Sequence, residues 1–244
     1  MLDLGSLFSN LLFFFDESPK GTEITLNFIC IGAVLIVAAI ALILCFKAKA
    51  FSSRELAFAG ISIASGFLLS FIKVAPVTYG GSITLASMVP VILFAYFYGF
   101  THGLLVGVVY GLLQFIQDPY ILTPITFVLD YILPFACISL ASIGAKFKNK
   151  TLGVSLSAVF VYAGRFLMHF LSGLVYFEKG SIWTTLPATS GALYSFLYQT
   201  VYLVPDCVIA VIALIILSKT GVIEKLAPKK QVSAESTVTP ETNG

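Results

Sequence analysis

The chain is 244 residues long, and 58% of these residues are hydrophobic while only 11% are charged. Soluble domains carry about 25% charged residues, so a water-soluble globule is excluded. The net charge of +2 is small and scattered, which excludes a nucleic-acid-binding surface, because such a surface needs a clustered basic face. The composition is that of an integral membrane protein, and long apolar runs predict spanning helices rather than the short alternating strands of a barrel.

Seven apolar runs predict transmembrane helices of an all-α bundle. They cover residues 26–46, 55–73, 84–98, 101–117, 124–145, 152–177 and 190–218. The third and fourth runs are separated only by residues 99–103, which predicts a tight hairpin with His102 exposed to solvent. Residues 1–25 contain no run long enough to span a bilayer and are expected to form an N-terminal arm. The polar C-terminal residues 219–244 predict a disordered tail.

Lysine and arginine are distributed unequally between alternate connections, and cytoplasmic loops are the ones enriched in these residues. One side holds only Lys20, Lys73 and Lys179. The other side holds Lys47, Lys49, Arg54, Lys146, Lys148, Lys150, Lys219, Lys225, Lys229 and Lys230. We therefore expect a multi-pass protein of the cell membrane with its N-terminus outside and its C-terminus in the cytoplasm. No nucleotide-binding motif is present, so uphill transport would need another chain or an ion gradient.

Ionisable residues inside a membrane cost about 2.5 to 3.5 kcal/mol each to insert and are functional hypotheses by default. Those inside the predicted helices are Asp130, Arg165, His169 and Asp206. Asp130 and His169 both fall in the outer halves of their helices, so they can share one externally open cavity. At helical spacing, one stripe carries Arg165, His169, Gly173 and Phe177. Aromatic and amide residues at the same depth are Tyr120, Tyr131, Trp183, Tyr194, Tyr198 and Gln199.

A cavity with a carboxylate, an imidazole, bare backbone and aromatic faces suits a planar, polar cation. Structural interpretations also exist, since tyrosine and tryptophan are enriched at membrane interfaces. His169 can instead hydrogen-bond a neighbouring helix, and Asp130 can cap the start of its own helix. Asp206 follows Pro205, so we expect it to pair with Arg165 or to satisfy backbone groups that the proline leaves free.

Small residues repeat along the helix predicted at 55–73. Gly60 and Ala64 form one small-xxx-small pair, and Ser62 and Gly66 form another. This spacing lets a second helix approach closely. It is compatible both with packing inside the bundle and with docking of a partner chain.

Several motifs, in this order and at this spacing, resemble the thiamine-binding S components of energy-coupling factor (ECF) transporters, the ThiT or YuaJ-like family. The motifs are GGSITLASMVPVILFAYFYG at 80–99, GLLVGVVYGLLQFI at 103–116 followed by DPY, LDYILPF at 129–135, GRFLMHFLSGLVYF at 164–177 and YSFLYQTVYLVPD at 194–206. The resemblance implies a six-helix bundle over residues 52–218 that captures thiamine from outside, with the helix at 26–46 additional to it.

The resemblance also implies partners and site residues. An ECF module, comprising a transmembrane coupling subunit and two ATPases, would supply the energy, and the helix bearing Gly60 and Ala64 would dock it. The implied ligand contacts are Asp130, Tyr131, Tyr120, Arg165, His169, Gly173, Tyr194 and Gln199. This chain departs from the family pattern at four positions: Asp130 replaces a glutamate, Arg165 a lysine, Phe177 a tryptophan and Gln199 an asparagine. The family also has a tryptophan in the first outer loop, where the nearest aromatic residue here is Tyr79. Trp183 could supply the missing indole ring.

Other functions remain compatible with the sequence. The chain could be an S component for another vitamin or precursor, or a stand-alone proton-coupled or facilitative transporter, because intramembrane carboxylates and histidines also form proton relays. An enzyme is not expected, since HExxH, GxSxG and paired-aspartate motifs are lacking. No metal or other cofactor is expected either, because CxxC and metal-ligand spacing are lacking at Cys30, Cys45, Cys137 and Cys207.

Overall fold

The computed structural model describes residues 51–76, 81–120, 124–177 and 191–228 of the chain. Its helices are α1 (Ser53–Ser70), α2 (Val89–Tyr98), α3 (Phe100–Gln117), α4 (124–144), α5 (Lys150–Phe177), α6 (Gly191–Lys219) and the short α7 (Val222–Leu226). Two strands, β1 (Lys73–Pro76) and β2 (Ser82–Thr84), pair antiparallel. The N-terminal arm, the helix predicted at 26–46 and residues 229–244 lie outside the described residues.

The outer faces of the helices are apolar. Along α6, the exposed side chains include Val201, Val204, Val208, Ile212 and Ile216. A soluble monomer rarely exposes such a continuous stripe, whereas lipid solvates it well. Within the described residues, four helices are long and apolar enough to cross a membrane, namely Phe100–Gln117, Ile125–Gly144, Lys150–Leu174 and Gly191–Lys219. The predicted fold class, an all-α integral membrane protein, is confirmed, with the short strand pair as an addition.

Helix α1 begins with a capping box. The Ser52 side chain accepts a hydrogen bond from the Glu55 amide at 3.3 Å, and the Glu55 carboxylate accepts one from the Ser52 amide at 2.7 Å. The helix ends at Ser70, before the predicted boundary, because the following residues from Lys73 to Pro76 are extended and pair with β2. Helix α2 likewise begins later than predicted, since residues 82–84 form β2.

A single glycine connects α2 to α3. Gly99 has a φ of +89°, a conformation that L side chains rarely adopt. The predicted five-residue hairpin is therefore shorter than expected, and His102 already belongs to α3. Contrary to the sequence prediction, His102 is not freely exposed. Its ring packs edge-on against Phe51 with centroids 4.5 Å apart, because the short link brings the starts of α1 and α3 together.

Helix α4 changes its winding in the middle. It runs as an α-helix from Pro124 to Phe127, as a π-helix from Val128 to Ile132, and then through α-helical and 3₁₀ turns to Gly144. Pro134 lacks an amide N–H and its ring crowds the carbonyl four residues earlier, that of Asp130. The amide of Leu133 instead reaches back five residues to the Val128 carbonyl. The widened turn redirects Asp130 and Tyr131, a common use of π-turns at functional sites.

Close helix packing is achieved with glycine. Gly103, Gly107 and Gly111 recur every four residues along α3. A Cβ on Gly107 would collide with the Phe135 carbonyl, and a Cβ on Gly111 with the Tyr131 carbonyl. Small residues thus allow α3 to approach α4 at the level of the π-helix.

The predicted tail boundary at residue 219 needs correction, because the ordered fold extends through α7. Ile223 is only 2% exposed and belongs to the apolar core. Lys150 at the start of α5 lies 3.4 Å from the Glu224 carboxylate, and Thr151 and Ser218 share a hydrogen bond of 2.7 Å. These contacts bring α5, α6 and α7 together at one end of the bundle.

Candidate functional site

A cavity of about 150 Å³ lies at the opposite end of the bundle. It is enclosed by the end of α1, the strand pair, α3, α4, α5 and α6. Most of the predicted ligand-binding residues line it, namely Tyr120, Asp130, Tyr131, Arg165, His169, Gly173 and Gln199. Residues from four distant segments therefore meet in one chamber, as the sequence predicted for Asp130 and His169.

The Asp130 carboxylate is held by two groups of α5. Its Oδ1 lies 3.1 Å from His169 Nδ1, and its Oδ2 accepts a 2.7 Å hydrogen bond from Ser172. A carboxylate only accepts hydrogen bonds, so His169 Nδ1 donates. His169 Nε2 then turns away from the carboxylate and has no hydrogen-bond partner among the described residues. The Asp130 side chain remains 27% exposed, which leaves part of it accessible to a ligand.

Tyr131 fixes the rim of the cavity. Its hydroxyl donates to the Asp118 carbonyl at 2.7 Å and accepts from the Tyr120 amide at 3.0 Å. The Asp118 carboxylate in turn forms a 2.8 Å ion pair with Lys73 of β1. The rim between α3 and α4 is thereby tied both to the π-helix and to the strand pair.

Both the nitrogen and the oxygen of the Gln199 side-chain amide form hydrogen bonds within the protein. Its nitrogen donates to the His169 carbonyl at 3.1 Å, and its oxygen accepts from the Tyr202 hydroxyl at 2.6 Å. The Tyr202 ring also packs edge-on against the His169 ring, with centroids 6.3 Å apart. Gln199 and Tyr202 therefore orient His169 from the side of α6.

Arg165 lies deep in the cavity and is 8% exposed. Its guanidinium carbon is 4.7 Å from the centroid of the Phe135 ring and 5.5 Å from that of Tyr162. Cation-π contacts thus hold the group from two sides. The expected ion pair with Asp206 does not occur within the described residues, because Asp206 is occupied by other donors.

Those donors come from three directions. Asp206 Oδ1 accepts from the Thr84 amide at 2.8 Å and from the Thr84 hydroxyl at 3.0 Å, while Oδ2 accepts from the Tyr162 hydroxyl at 2.6 Å. The alternative expectation, that Asp206 satisfies backbone groups freed by Pro205, is therefore also wrong. The Asp206 carboxylate instead accepts hydrogen bonds from Thr84 of the strand pair, because β2 ends beside α6.

Tyr194 is the predicted site residue that, among the described ones, does not line the cavity. It is 1% exposed, lies outside the cavity and stacks on Tyr198, with ring centroids 6.4 Å apart. Tyr198, one helical turn further along α6, lines the cavity instead. Tyr79, Trp183 and the side chain of Phe177 lie outside the described residues.

Several lining residues were not predicted. They include Ser82, Thr84, Tyr110, Gln114, Ser172 and Tyr202. Helical spacing could have found two of them, since Ser172 lies three residues after His169 and Tyr202 four residues before Asp206. No local pattern marks the strand residues, because pairing between distant segments brings them to the cavity.

The chemistry of the cavity suits a flat cation. The partly open carboxylate of Asp130 shares the cavity with the rings of Tyr131, Tyr198 and Tyr202. Hydrogen-bonding groups line the remaining walls. Among the described residues, no group of three histidine, cysteine or acidic side chains is arranged to hold a metal ion.

The chain is similar to known proteins over most of its described residues. The family described as Thiamine transporter protein (Thia_YuaJ) matches residues 56–224. Thiamine transporter ThiT of Bacillus subtilis (strain 168) is 31% identical over 177 residues, which cover 66% of this chain and 84% of the relative. A solved structure of ThiT from Listeria monocytogenes has a TM-score of 0.60 at 22% identity, covering 68% of this chain and 94% of that one. The structural match shows a shared fold.

Proposed function

The chain belongs to the thiamine transporter protein family, and from this premise we propose that it is an S component that captures thiamine in the cavity around Asp130 and His169. The observation that carries the proposal is the carboxylate of Asp130, held by His169 and Ser172 in a chamber lined with aromatic rings. The relatives are transporters, which supports a role in binding and uptake rather than catalysis.

The chemistry of thiamine suits this chamber. Its thiazolium ring carries a permanent positive charge, which Asp130 offsets in a partly dry environment. Aromatic faces attract such a cation by about 2 kcal/mol when it is desolvated. The aminopyrimidine ring offers both donors and acceptors, and His169 Nε2 is a polar atom without a partner in the described part of the chain. These features favour thiamine over a neutral or anionic ligand.

The distribution of basic residues supports an outward-facing cavity. Ser70 at the end of α1 bonds Gln117 at the end of α3, and both lie at the cavity end. The described helix ends at the opposite end of the bundle carry Arg54, Lys146, Lys148, Lys150, Lys219 and Lys225. By the positive-inside rule that side is cytoplasmic. The cavity then opens to the exterior, with the N-terminus outside and the C-terminus in the cytoplasm of a multi-pass plasma-membrane protein.

The exposed face of α1 is the proposed docking surface for an ECF module, comprising a transmembrane coupling subunit and two ATPases. Gly60 and Ala64 are exposed, and no described atom lies within 4 Å of a Cβ built on Gly60. Leu56, Ile61 and Leu68 flank them with exposures of 62 to 68%. The second small pair, Ser62 and Gly66, faces inward. A helix face that is apolar and uncovered by the described residues is suited to close approach of a partner helix.

Titration of the purified chain with thiamine tests the binding proposal. We expect saturable one-to-one binding at micromolar or lower concentration, measured by calorimetry. Thiochrome, a flat tricyclic derivative without the permanent charge, is the control and should bind at least about tenfold more weakly. No heat at micromolar thiamine, or equal binding of thiochrome, would contradict the proposal. A mass spectrum of ligand released from the purified protein would reveal another vitamin or precursor.

Gly60→Leu tests the docking proposal. We expect thiamine affinity to remain within about twofold, because the residue lies on the outer face of α1, away from the cavity. ATP-driven uptake by vesicles that also contain the ECF module should fall at least about tenfold, since overpacking a close helix contact is costly. The matched control is Leu68→Ala on the same helix, which removes side-chain volume from the helix surface, whereas Gly60→Leu adds it. Equal uptake by the Gly60→Leu protein, or uptake by vesicles that contain this chain alone, would contradict an ECF-dependent role.

A further inference from the structure

Asp206 is a buried carboxylate whose hydrogen bonds all go to the protein framework. It is 4% exposed, and its two oxygens accept from Thr84 of β2 and from Tyr162 of α5. Asp206 itself belongs to α6. One side chain therefore joins a strand and two helices next to the cavity.

A stripe of α6 holds β2 at both of its ends. Tyr198, Tyr202 and Asp206 are spaced four residues apart and share one helix face. The Tyr198 hydroxyl accepts a hydrogen bond from the Gly81 amide at 3.1 Å, just before β2. A Cβ on Gly81 would also lie 3.2 Å from the Tyr202 ring, so this glycine is pressed against α6. At the other end of β2, Asp206 binds Thr84.

Besides the contacts with α6, the described residues tie the strand pair to the helices through the exposed ion pair between Lys73 of β1 and Asp118. Lys73 and Val74 are exposed, and within the described residues the sheet consists of two strands. An isolated strand pair is marginally stable. The chain then turns into α2 through Ala86, whose φ of +56° is strained for a residue with a Cβ. A pair of strands that ends in a strained corner needs an external anchor. Asp206 provides one through two hydrogen bonds from Thr84, and a third, from Tyr162 of α5, holds the carboxylate in place.

We propose that Asp206 is a positioning residue that holds the strand pair against α6 and thereby slows the departure of the bound ligand. Gly81, Ser82 and Thr84 line the cavity. When β2 is released, one wall of the cavity is lost and the ligand gains an exit. The effect on the ligand rests on the proposed binding of thiamine, whereas the anchoring of the strands does not.

Asp206→Asn tests both parts. Asparagine keeps the shape, but it has one acceptor oxygen and cannot accept hydrogen bonds from both Thr84 and Tyr162. It also loses the negative charge that strengthens the hydrogen bonds from Thr84. In the ligand-free protein, hydrogen exchange measured by mass spectrometry should accelerate at least about tenfold in residues 71–76 and 81–88, and remain unchanged in α3. In stopped-flow measurements the dissociation rate of thiamine should rise at least about tenfold, while the association rate changes by less than about threefold.

Ser157→Ala is the matched control. Ser157 is fully buried in α5 and donates to the Ala141 carbonyl at 2.7 Å, away from the strands and the cavity. Its loss should lower stability without changing strand exchange or thiamine dissociation. If Asp206→Asn does not fold, Tyr162→Phe removes one of the three hydrogen bonds and should shift exchange and dissociation in the same direction by a smaller factor.

Unchanged strand exchange in Asp206→Asn or Tyr162→Phe, or equal changes in the Ser157→Ala control, would overturn the anchoring role. Faster exchange with an unaltered dissociation rate would overturn the effect on the ligand. A wild-type protein that binds no thiamine would contradict the proposed function instead, and strand exchange would still decide whether Asp206 is the anchor.

Discussion

Replacing Asp130 with asparagine is expected to weaken thiamine binding by about 100-fold or more. The neutral amide occupies the same volume but cannot offset the thiazolium charge in a partly dehydrated cavity, and removing one partner of such a pair leaves the other charge unpaired. His169 and Ser172 also lose their common ionic acceptor. Calorimetric titration of the variant, with thermal unfolding to verify that it is folded, measures the effect.

Asp118→Asn is the control for a general loss of negative charge. Asp118 lies at the rim of the same cavity, but its side chain is 50% exposed and already paired with Lys73. Exposed ion pairs contribute little, so thiamine affinity should fall by no more than about threefold. Equal losses in the two variants would mean that the overall field of the cavity, and not the position of Asp130, determines binding. Undiminished affinity in Asp130→Asn would rule out the proposed site.

Gly111→Ala is expected to destabilise the protein by about 1–3 kcal/mol or more and to reduce thiamine binding. The added Cβ would collide with the Tyr131 carbonyl and lie 2.9 Å from the Phe135 Cβ. Backbone cannot yield as a flexible side chain can, so α4 must shift exactly where the π-helix presents Asp130. Thermal unfolding in detergent and the thiamine dissociation constant measure the two consequences.

Gly60→Ala makes the same chemical change where space is available. No described atom lies within 4 Å of a Cβ at Gly60. Alanine is a better helix former than glycine, so this variant should be as stable as the wild type or more stable by up to about 1 kcal/mol. A Gly111→Ala protein that is as stable as Gly60→Ala would show that α3 and α4 are not closely packed at this point.

Prediction from the sequence was most successful where a property depends on single residues or on local periodicity. Apolar runs longer than the bilayer thickness predict spanning helices regardless of how those helices pack. The cost of burying charge makes Asp130, Arg165 and His169 conspicuous within such runs. Helical spacing and predicted depth added Tyr131, Gly173 and Gln199, and the structure places all six around one cavity.

Predictions failed where distant segments meet. Asp206 was expected to pair with Arg165, but Thr84 and Tyr162 occupy it. Tyr194 was chosen where Tyr198, one turn away, reaches the cavity. In each case the choice is between chemically equivalent partners, and only their three-dimensional positions distinguish them.

The amino-acid order is sufficient to specify a membrane-embedded helical protein and to single out an aspartate and a histidine inside its predicted helices. Hydrophobicity and charge are properties of single residues, so these features can be predicted without knowledge of the fold. The strand pair, the π-turn at Asp130 and the α6 stripe that supports β2 depend on hydrogen bonds and close contacts between segments far apart in the chain. Such contacts exist only once the helices have packed, and that packing converts a set of polar residues into a binding cavity.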